Sequence, residues 1–172
     1  MVSCNWTNFG CNGGNLAFAW KYLTNTGIVS DACMPYVSGA GQVPACPTTC
    51  SNGQAFTKYK CASVVSSGSV SEIQSSIMTQ GPMETGFTVY EDFMNYKSGI
   101  YRHVTGKQLG GHAVKIVGWG HDATSGEDYW ICANSWNTSW GMNGFFNILM
   151  GDCGIDRAVY GCTVSTKTTP LF

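Results

Sequence analysis

The segment LGGHAVKIVGWG, residues 109–120, places one histidine behind two glycines and at the head of an apolar run. The apolar residues from 112 to 118 predict a β-strand, and the glycines before it let another backbone approach closely. A single histidine in such a place is more often a packed or surface residue than a working base. His112 therefore needs support from the rest of the chain before a catalytic role can be assigned to it.

A second unusual segment, ANSWNTSWG, covers residues 133–141 and follows the apolar run DYWIC. It places the amide of Asn134 at a predicted strand end, close to two tryptophans. A histidine base needs a group that fixes its tautomer and ring orientation, and an amide oxygen that accepts the ring N–H meets that need. The indole of Trp136 would shield such a bond from water and strengthen it. The alternative is that Asn134 caps a turn while Trp136 and Trp140 fill the core.

The composition describes a folded chain with little charge. Of the 172 residues, 44% are hydrophobic and only 11% are charged, with a formal net charge of -1. Such a chain has no basic field to hold nucleic acid and no polybasic anchor for a membrane surface. No run approaches the roughly 20 apolar residues that a membrane-spanning helix requires. We therefore expect neither nucleic acid nor a membrane as a partner.

The cysteines indicate disulfides formed in an oxidising compartment. Nine cysteines are too many for a reduced cytosolic domain, and their irregular spacing lacks the paired C-x-x-C knuckles of a zinc site. We expect no metal site. The odd count leaves at least one thiol without a partner in this chain.

Two further features bear on the secretory pathway. The sequons Asn5-Trp6-Thr7 and Asn137-Thr138-Ser139 permit N-glycosylation, although such triplets are frequent by chance. The first ten residues, MVSCNWTNFG, have neither the charged nor the apolar region of a signal peptide.

The order of predicted elements indicates an α+β chain of two subdomains. A helix is predicted over residues 12–27, with Leu16, Ala19, Trp20 and Leu23 on one face, and a long disulfide-held loop over 28–55. A second helix begins after the capping box formed by Ser69 and Glu72 and ends at Gly81-Pro82. Strands are predicted at 83–90, 112–118, 128–133 and 144–149. Residues 1–55 and 56–172 form the two predicted subdomains, the second a mainly antiparallel, barrel-like sheet.

Several motifs together carry a family resemblance. They are CNGG at 11–14, CMPY at 33–36, YKSGIYRHVTG at 96–106, GGHAVKIVGWG at 110–120, NSWNTSWG at 134–141, NGFFNILMG at 143–151 and CGID at 153–156. In this order the chain resembles the papain superfamily of cysteine peptidases, and within it the cathepsin B-like group. The resemblance implies a papain-like fold with part of the helical left subdomain and a β-barrel-like right subdomain. It also implies hydrolysis of peptide or protein substrates without a cofactor.

The resemblance assigns the catalytic roles. His112 becomes the general base and acid, Asn134 the residue that orients it, and Trp136 the indole wall on the leaving-group side. The family's nucleophile, in a motif like C-G-S-C-W at the start of a central helix, and its oxyanion-hole glutamine do not occur in this sequence. Cys132 is a weak substitute, because its run YWICA looks buried and no helix N-terminus would lower its pKa.

We therefore expect the chain to be the C-terminal part of a catalytic domain, lacking the central nucleophile helix and inactive alone. A second hypothesis is a natural paralogue without a nucleophile that binds peptides or proteins through the remaining half-cleft. A third is a disulfide-rich structural domain in which His112 and Asn134 only pack.

The resemblance also assigns substrate contacts. Gly13 and Gly14 would hydrogen-bond to an extended substrate backbone, and Gly111 would leave room beside the scissile bond. The pocket for the second residue before that bond would be lined by Leu16, Gly86, Ala113 and Ala158. Cathepsin B has a glutamate at the position that matches Ala158, so this pocket should favour apolar or aromatic side chains.

The family pattern suggests disulfides as well. It pairs Cys4 with Cys46 and Cys33 with Cys50, and it assigns Cys11 to a partner outside this chain. We add Cys61 with Cys162, which joins the first and last strands of the second subdomain, and leave Cys132 and Cys153 free. The short segment between Cys33 and Cys46 has no His-His pair, so the occluding loop of cathepsin B is not expected and endopeptidase action is. The resemblance further implies cystatin-type inhibitors as partners and a lysosomal, vacuolar or secreted location.

Overall fold

The computed structural model describes residues 1–164. Its α-helices are α1 (Leu16–Asn25) and α2 (Val70–Gln80), and short 3-10 turns occur at Gly10–Asn12, Glu91–Asn95 and Asp152–Gly154. The strands are β1 (Cys61–Ser67), β2 (Met83–Tyr90), β3 (Ile100–Tyr101), β4 (Gln108–Asp122), β5 (Glu127–Ala133), β6 (Phe145–Leu149) and β7 (Val159–Val164). Within residues 1–164 no helix is both long and apolar enough to cross a membrane.

The chain divides into two compact units. The first contains Met1–Val64 together with the end of β7 from Cys162, and the second is Val65–Gly161. The boundary after residue 55 stays a prediction.

In the first unit, helix α1 is shorter than the sequence pattern predicts. The side chain of Asn15 accepts the N–H of Phe18 at 3.3 Å and caps the helix there. Gly13 precedes it at a φ of 96°, a conformation that favours glycine and separates the short turn Gly10–Asn12 from the helix. Gly27 follows the helix at a φ of 78°, where a Cβ would lie 2.7 Å from the carbonyl oxygen of Tyr59. The predicted stop at Gly27 therefore has a steric cause as well as a conformational one.

Disulfides hold the remainder of the first unit, as its composition suggested. The structure contains Cys4–Cys46, Cys33–Cys50 and Cys61–Cys162, the same pairs as those expected from the sequence. The segment between α1 and β1 has no helix or strand, only an isolated bridge between Ile28 and Tyr59. The cross-links thus replace a regular secondary-structure framework in this segment.

Strands β2 to β6 of the second unit belong to a sheet whose strand order is β1-β7-β2-β4-β5-β6-β3. Strand β2 pairs antiparallel with β4 and with β7, and β5 pairs antiparallel with β4 and with β6, whereas β3 pairs parallel with β6. Strand β2 matches its predicted bounds, and its alternate residues Met83, Thr85, Phe87 and Val89 are buried. This period of two is the pattern of a strand with one face on the core. The predicted antiparallel sheet is confirmed.

Helix α2 begins as the capping box predicts. Ser69 accepts the N–H of Glu72 at 3.4 Å, and Glu72 in turn accepts the N–H of Gly68 at 3.3 Å. Gly81 ends the helix, and Ile73 is its most buried apolar residue, with no exposed surface. The helix therefore contributes to the same core as β2.

A half-buried carboxylate fixes the loop between β3 and β4. Asp92 accepts hydrogen bonds from Tyr101, His103, Val104 and Thr105. Burial opposes ionisation of Asp92, but these donors outweigh it and hold the pKa of the carboxyl well below its usual range. The ionised carboxylate is therefore the form that anchors the loop most strongly.

We expect Asp92→Asn to destabilise the protein at pH 7 by about 1.5–3 kcal/mol, the usual range for hydrogen bonds to a charged group. A carboxyl whose pKa is lower in the folded than in the unfolded state adds stability above the unfolded pKa, about 4, and loses it as pH falls below that value. Urea unfolding followed by tryptophan fluorescence should thus show a difference at pH 7 that shrinks at pH 3. Asp128→Asn, at an exposed carboxylate of the same unit, is the control. An equal effect of both variants, or a difference that persists unchanged at pH 3, would contradict the role of Asp92.

Candidate functional site

The geometry brings His112 and Asn134 together. Lys115 on β4 pairs with Ala133 on β5, so the residue after β5 lies close to the start of the buried part of β4. The Nε2 atom of His112 and the Oδ1 atom of Asn134 are 2.8 Å apart. Both side chains are half-buried.

The hydrogen bonds around Asn134 define the tautomer of His112. The backbone N–H of Ser135 donates to the same Oδ1 at 2.8 Å, so this atom is the amide oxygen and the neutral ring donates to it from Nε2. Nδ1 is then the nitrogen with a lone pair and can take a proton from another group. The Nδ2 atom of Asn134 is buried without a hydrogen-bond partner. The backbone N–H of Asn134 donates to Gly144 at 2.9 Å, which fixes the residue itself.

Two aromatic rings contact the imidazole. Trp136 stacks on His112 with ring centroids 4.8 Å apart and an interplanar angle of 26°. Phe87, the cross-strand partner of His112 on β2, lies at 6.0 Å. Phe93 packs on both Phe87 and Trp136, at 5.1 and 5.6 Å. The ring is therefore held by a hydrogen bond at its edge and by aromatic contacts that lead into the core.

Phe87 and Phe93 were not among the sequence-predicted site residues. The alternating pattern of β2 shows that Phe87 is buried, but only the register of β2 against β4 shows that it faces His112. No sequence motif carries that register.

The structure places part of the predicted substrate pocket in the second unit. Gly86 on β2 pairs with Ala113 on β4, the residue after His112. Ala158 is exposed and directly precedes β7, whose Val159 pairs with Thr85. Gly111, on the other side of His112, is also exposed. Four predicted residues thus surround one short region of β2, β4 and β7.

The other predicted substrate residues belong to the first unit. Gly13 and Gly14 are exposed, and Leu16 is half-buried at the start of α1. Their contacts with a substrate stay predictions.

The free thiols of the second unit are poor nucleophiles. Cys132 has no exposed surface, and burial raises the pKa of its thiol far above the usual range. Burial also raises the pKa of Cys153 to about 12, with a further contribution from its hydrogen bond to Asp152 at 3.2 Å. A thiolate is the reactive form, and neither residue forms one near neutral pH. Cys11, the free cysteine of the first unit, is exposed.

Among residues 1–164 there is no cluster of three or more histidine, cysteine, aspartate or glutamate side chains that could hold a metal ion. The groups that contact His112 are the amide of Asn134 and the aromatic rings of Trp136 and Phe87. Such a set is suited to moving a proton at Nδ1 in a partly dry environment.

Comparison with known proteins gives the family. The sequence pattern described as "Papain family cysteine protease" matches residues 1–163. This chain belongs to that family. The resemblance drawn from the motifs is confirmed, and residues 11–156, which carry them, lie within the match.

Cathepsin B-like proteins are similar to this papain-family chain in sequence. It is 44% identical over 166 residues to "Cathepsin B-like CP3" of Giardia intestinalis, covering 94% of this chain and 55% of that protein. It is also 44% identical over 174 residues to "Cathepsin B" of Dictyostelium discoideum, covering 92% of this chain and 55% of that protein. The chain thus spans little more than half the length of the relatives it matches.

Solved structures confirm the papain-like fold. Procathepsin B S9 from Trypanosoma congolense superposes with a TM-score of 0.89 at 37% identity, covering 96% of this chain and 59% of that one. Procathepsin L2 from Tenebrio molitor has a TM-score of 0.76 at 30% identity, with coverages of 94% and 51%. The α+β fold class inferred from the sequence is therefore confirmed.

Proposed function

We propose that this chain supplies the general base and its orienting amide to a cathepsin B-like cysteine peptidase, and that the attacking thiolate comes from a cysteine outside this chain. The observation that carries the proposal is the 2.8 Å contact between His112 Nε2 and Asn134 Oδ1, beside the indole of Trp136 that stacks on the imidazole. A histidine that only packed would not need an amide oxygen that fixes its tautomer.

The geometry supports a proton shuttle. Nδ1 of His112 takes the proton of a cysteine thiol, and the resulting imidazolium keeps its Nε2–H bonded to Asn134. The thiolate then attacks the peptide carbonyl, and Nδ1 returns the proton to the leaving amine. Water releases the acyl group in the second half of the reaction, with His112 acting as base again. Trp136 limits the access of water to the orienting hydrogen bond.

The thiols of this chain support an external nucleophile. Cys132 and Cys153 both have raised pKa values, and Cys132 has no exposed surface. The base is therefore positioned for a thiol that these two residues do not provide.

The proposed substrate is a peptide or protein with an apolar or aromatic residue second before the scissile bond. Gly86, Ala113 and Ala158 have small side chains, and none of them offers a carboxylate to bind a basic residue. We propose endopeptidase action, with cystatin-type inhibitors as protein partners. The three disulfides favour a lysosomal, vacuolar or secreted location.

The chain alone is expected to show no hydrolysis of dipeptidyl fluorogenic substrates and no labelling by an epoxide that alkylates papain-type cysteines. Fusion to the part of Dictyostelium discoideum cathepsin B outside the matched region should restore both, because we propose that this part supplies the nucleophile. Fluorescence rates and intact mass are the measurements. Specific labelling of Cys132, Cys153 or Cys11 in the chain alone would contradict the external nucleophile.

A fusion that folds and binds peptides without hydrolysing them would favour the second hypothesis, a peptide-binding paralogue. Sequencing the transcript upstream of the Met1 codon provides an independent measurement. An in-frame Cys-Trp motif supports the peptidase, and a stop codon directly before Met1 supports the paralogue.

A further inference from the structure

The two N-glycosylation sequons have very different surroundings in the fold. Asn5 is only 4% exposed, whereas Asn137 is exposed and lies one residue after Trp136. The structure therefore distinguishes two triplets that the sequence presents as equivalent.

The sequon at Asn5 cannot carry a glycan in the folded chain. Its Oδ1 accepts both the N–H and the hydroxyl of Thr7, at 3.3 and 2.7 Å. Its Nδ2, the atom that a glycan would occupy, is buried without a hydrogen-bond partner. A sugar there would have to displace the packed surroundings of the amide.

The sequon at Asn137 lies on a fixed, exposed turn. Asn137 has a φ of 67°, a left-handed conformation that asparagine tolerates better than most residues, and its Oδ1 accepts the N–H of Ser139 at 2.6 Å. The backbone oxygen of Asn137 accepts the N–H of Trp140 at 3.4 Å. Trp140 and Trp136 pack on each other at 5.1 Å, and both contact Phe93 in the core. The two tryptophans thus anchor the turn to the core, while residues 137–139 of the sequon are exposed to solvent.

We propose that Asn137 carries an N-linked glycan. The donor class is a lipid-pyrophosphate-linked oligosaccharide, as N-glycosylation requires. The Nδ2 atom of Asn137 bonds to C1 of the first sugar, the bond between C1 and the pyrophosphate oxygen breaks, the lipid pyrophosphate leaves, and Nδ2 loses one proton to a base of the transferase. Ser139 supplies the hydroxyl that completes the acceptor triplet. The three disulfides point to the compartment in which this transfer occurs.

The location of Asn137 gives the glycan a consequence for the active site. Trp136 stacks on His112, so a hydrophilic chain attached to the next residue stands at the rim of the proposed catalytic region. This part of the inference rests on the proposed function. A large protein substrate meets the glycan, whereas a short peptide that ends near the scissile bond does not. The glycan therefore restricts the leaving-group side to small or flexible substrates.

The test is the chain expressed in a eukaryotic secretory host, analysed by intact mass and by peptide mapping after enzymatic deglycosylation. We expect deglycosylation to convert Asn137 to aspartate and to leave Asn5 as asparagine. Ser139→Ala should remove the glycan, Ser139→Thr should keep it, and Thr7→Ala should leave the mass of the attached sugar unchanged. An unmodified Asn137 in secreted, folded protein, or a glycan on Asn5 in its place, would overturn the inference.

The effect on substrates is measured on the fusion described above, with and without Ser139→Ala. We expect a severalfold rise in kcat/KM on a folded protein substrate and little change on a dipeptidyl substrate. Equal changes on both substrates would overturn the steric effect. A glycosylated Asn137 in a fusion without His112-dependent hydrolysis would support the glycan and contradict the proposed function, so the two failures are distinguishable.

Discussion

Replacing His112 by alanine in the active fusion should lower kcat/KM by about 10³-fold or more, because general acid-base catalysis and activation of the nucleophile are lost together. In the proposed mechanism the ring takes the thiol proton in the first step and returns it to the leaving amine, and no remaining group would perform either transfer. The measurement is the hydrolysis rate of a dipeptidyl fluorogenic substrate across pH, with intact mass reporting alkylation by the epoxide.

The chain offers a matched control on the same strand. His121 lies near the far end of β4, is exposed, and pairs with Asp128 at 2.8 Å. His121→Ala should keep nearly full activity. Asn134→Ala should give a smaller loss than His112→Ala, because the base remains but its ring can rotate and its tautomer is no longer fixed. Equal activities of His112→Ala and His121→Ala would contradict the assignment of the base.

Local patterns in the sequence predicted the elements whose ends are set by local chemistry. Strand β2 has its predicted bounds because its period of two continues until the chain leaves the sheet. The start of α2 follows from Ser69 and Glu72, whose side chains bond to backbone groups a few residues away. In both cases all the residues that determine the element lie within one short segment of the sequence.

Elements that depend on distant partners were predicted less well. Strand β4 continues beyond residue 118 to Asp122, because Trp119 to Asp122 pair with β5 across the hairpin. Gly118 and Gly120 interrupt the apolar pattern, so the sequence does not predict that the strand continues beyond residue 118. Strand β3 has only two residues, and it pairs parallel with β6. A segment this short has no periodicity from which a strand could be predicted.

The candidate site shows the same difference between local signals and contacts with distant segments. Motif order identified His112, Asn134 and Trp136, whose chemistry is specific enough to read from residue type. The ring contact between Phe87 and His112 depends on the register of two strands, and the contact of Phe93 with Trp136 depends on packing between separate segments. Contacts of this kind carry no local signal, although they determine where the imidazole lies.

Phe93→Ala should destabilise the second unit by about 3–5 kcal/mol, the usual cost of removing a buried phenylalanine ring. Phe93 has no exposed surface and lies at the centre of the aromatic core. Its ring contacts those of Phe87, Tyr96, Tyr101, Trp136, Trp140 and Phe146. Urea unfolding followed by tryptophan fluorescence measures the loss. Phe145→Ala, at a partly exposed phenylalanine on β6, is the control and should cost much less.

Because Phe93 supports both rings that contact His112, its loss should affect the His112–Asn134 hydrogen bond as well as the core. Phe93→Leu keeps most of the volume and allows the fold to be retained while the edge contacts with Phe87 and Trp136 are lost. In that variant the ¹⁵N and ¹H resonances of His112 Nε2–H should shift and the proton should exchange faster with water, because Trp136 loses a ring that holds it against the imidazole. Phe145→Leu should leave these resonances unchanged. If Phe93→Leu lowers stability without moving them, the imidazole is held by Asn134 and Trp136 alone, and the aromatic core only supports the sheet.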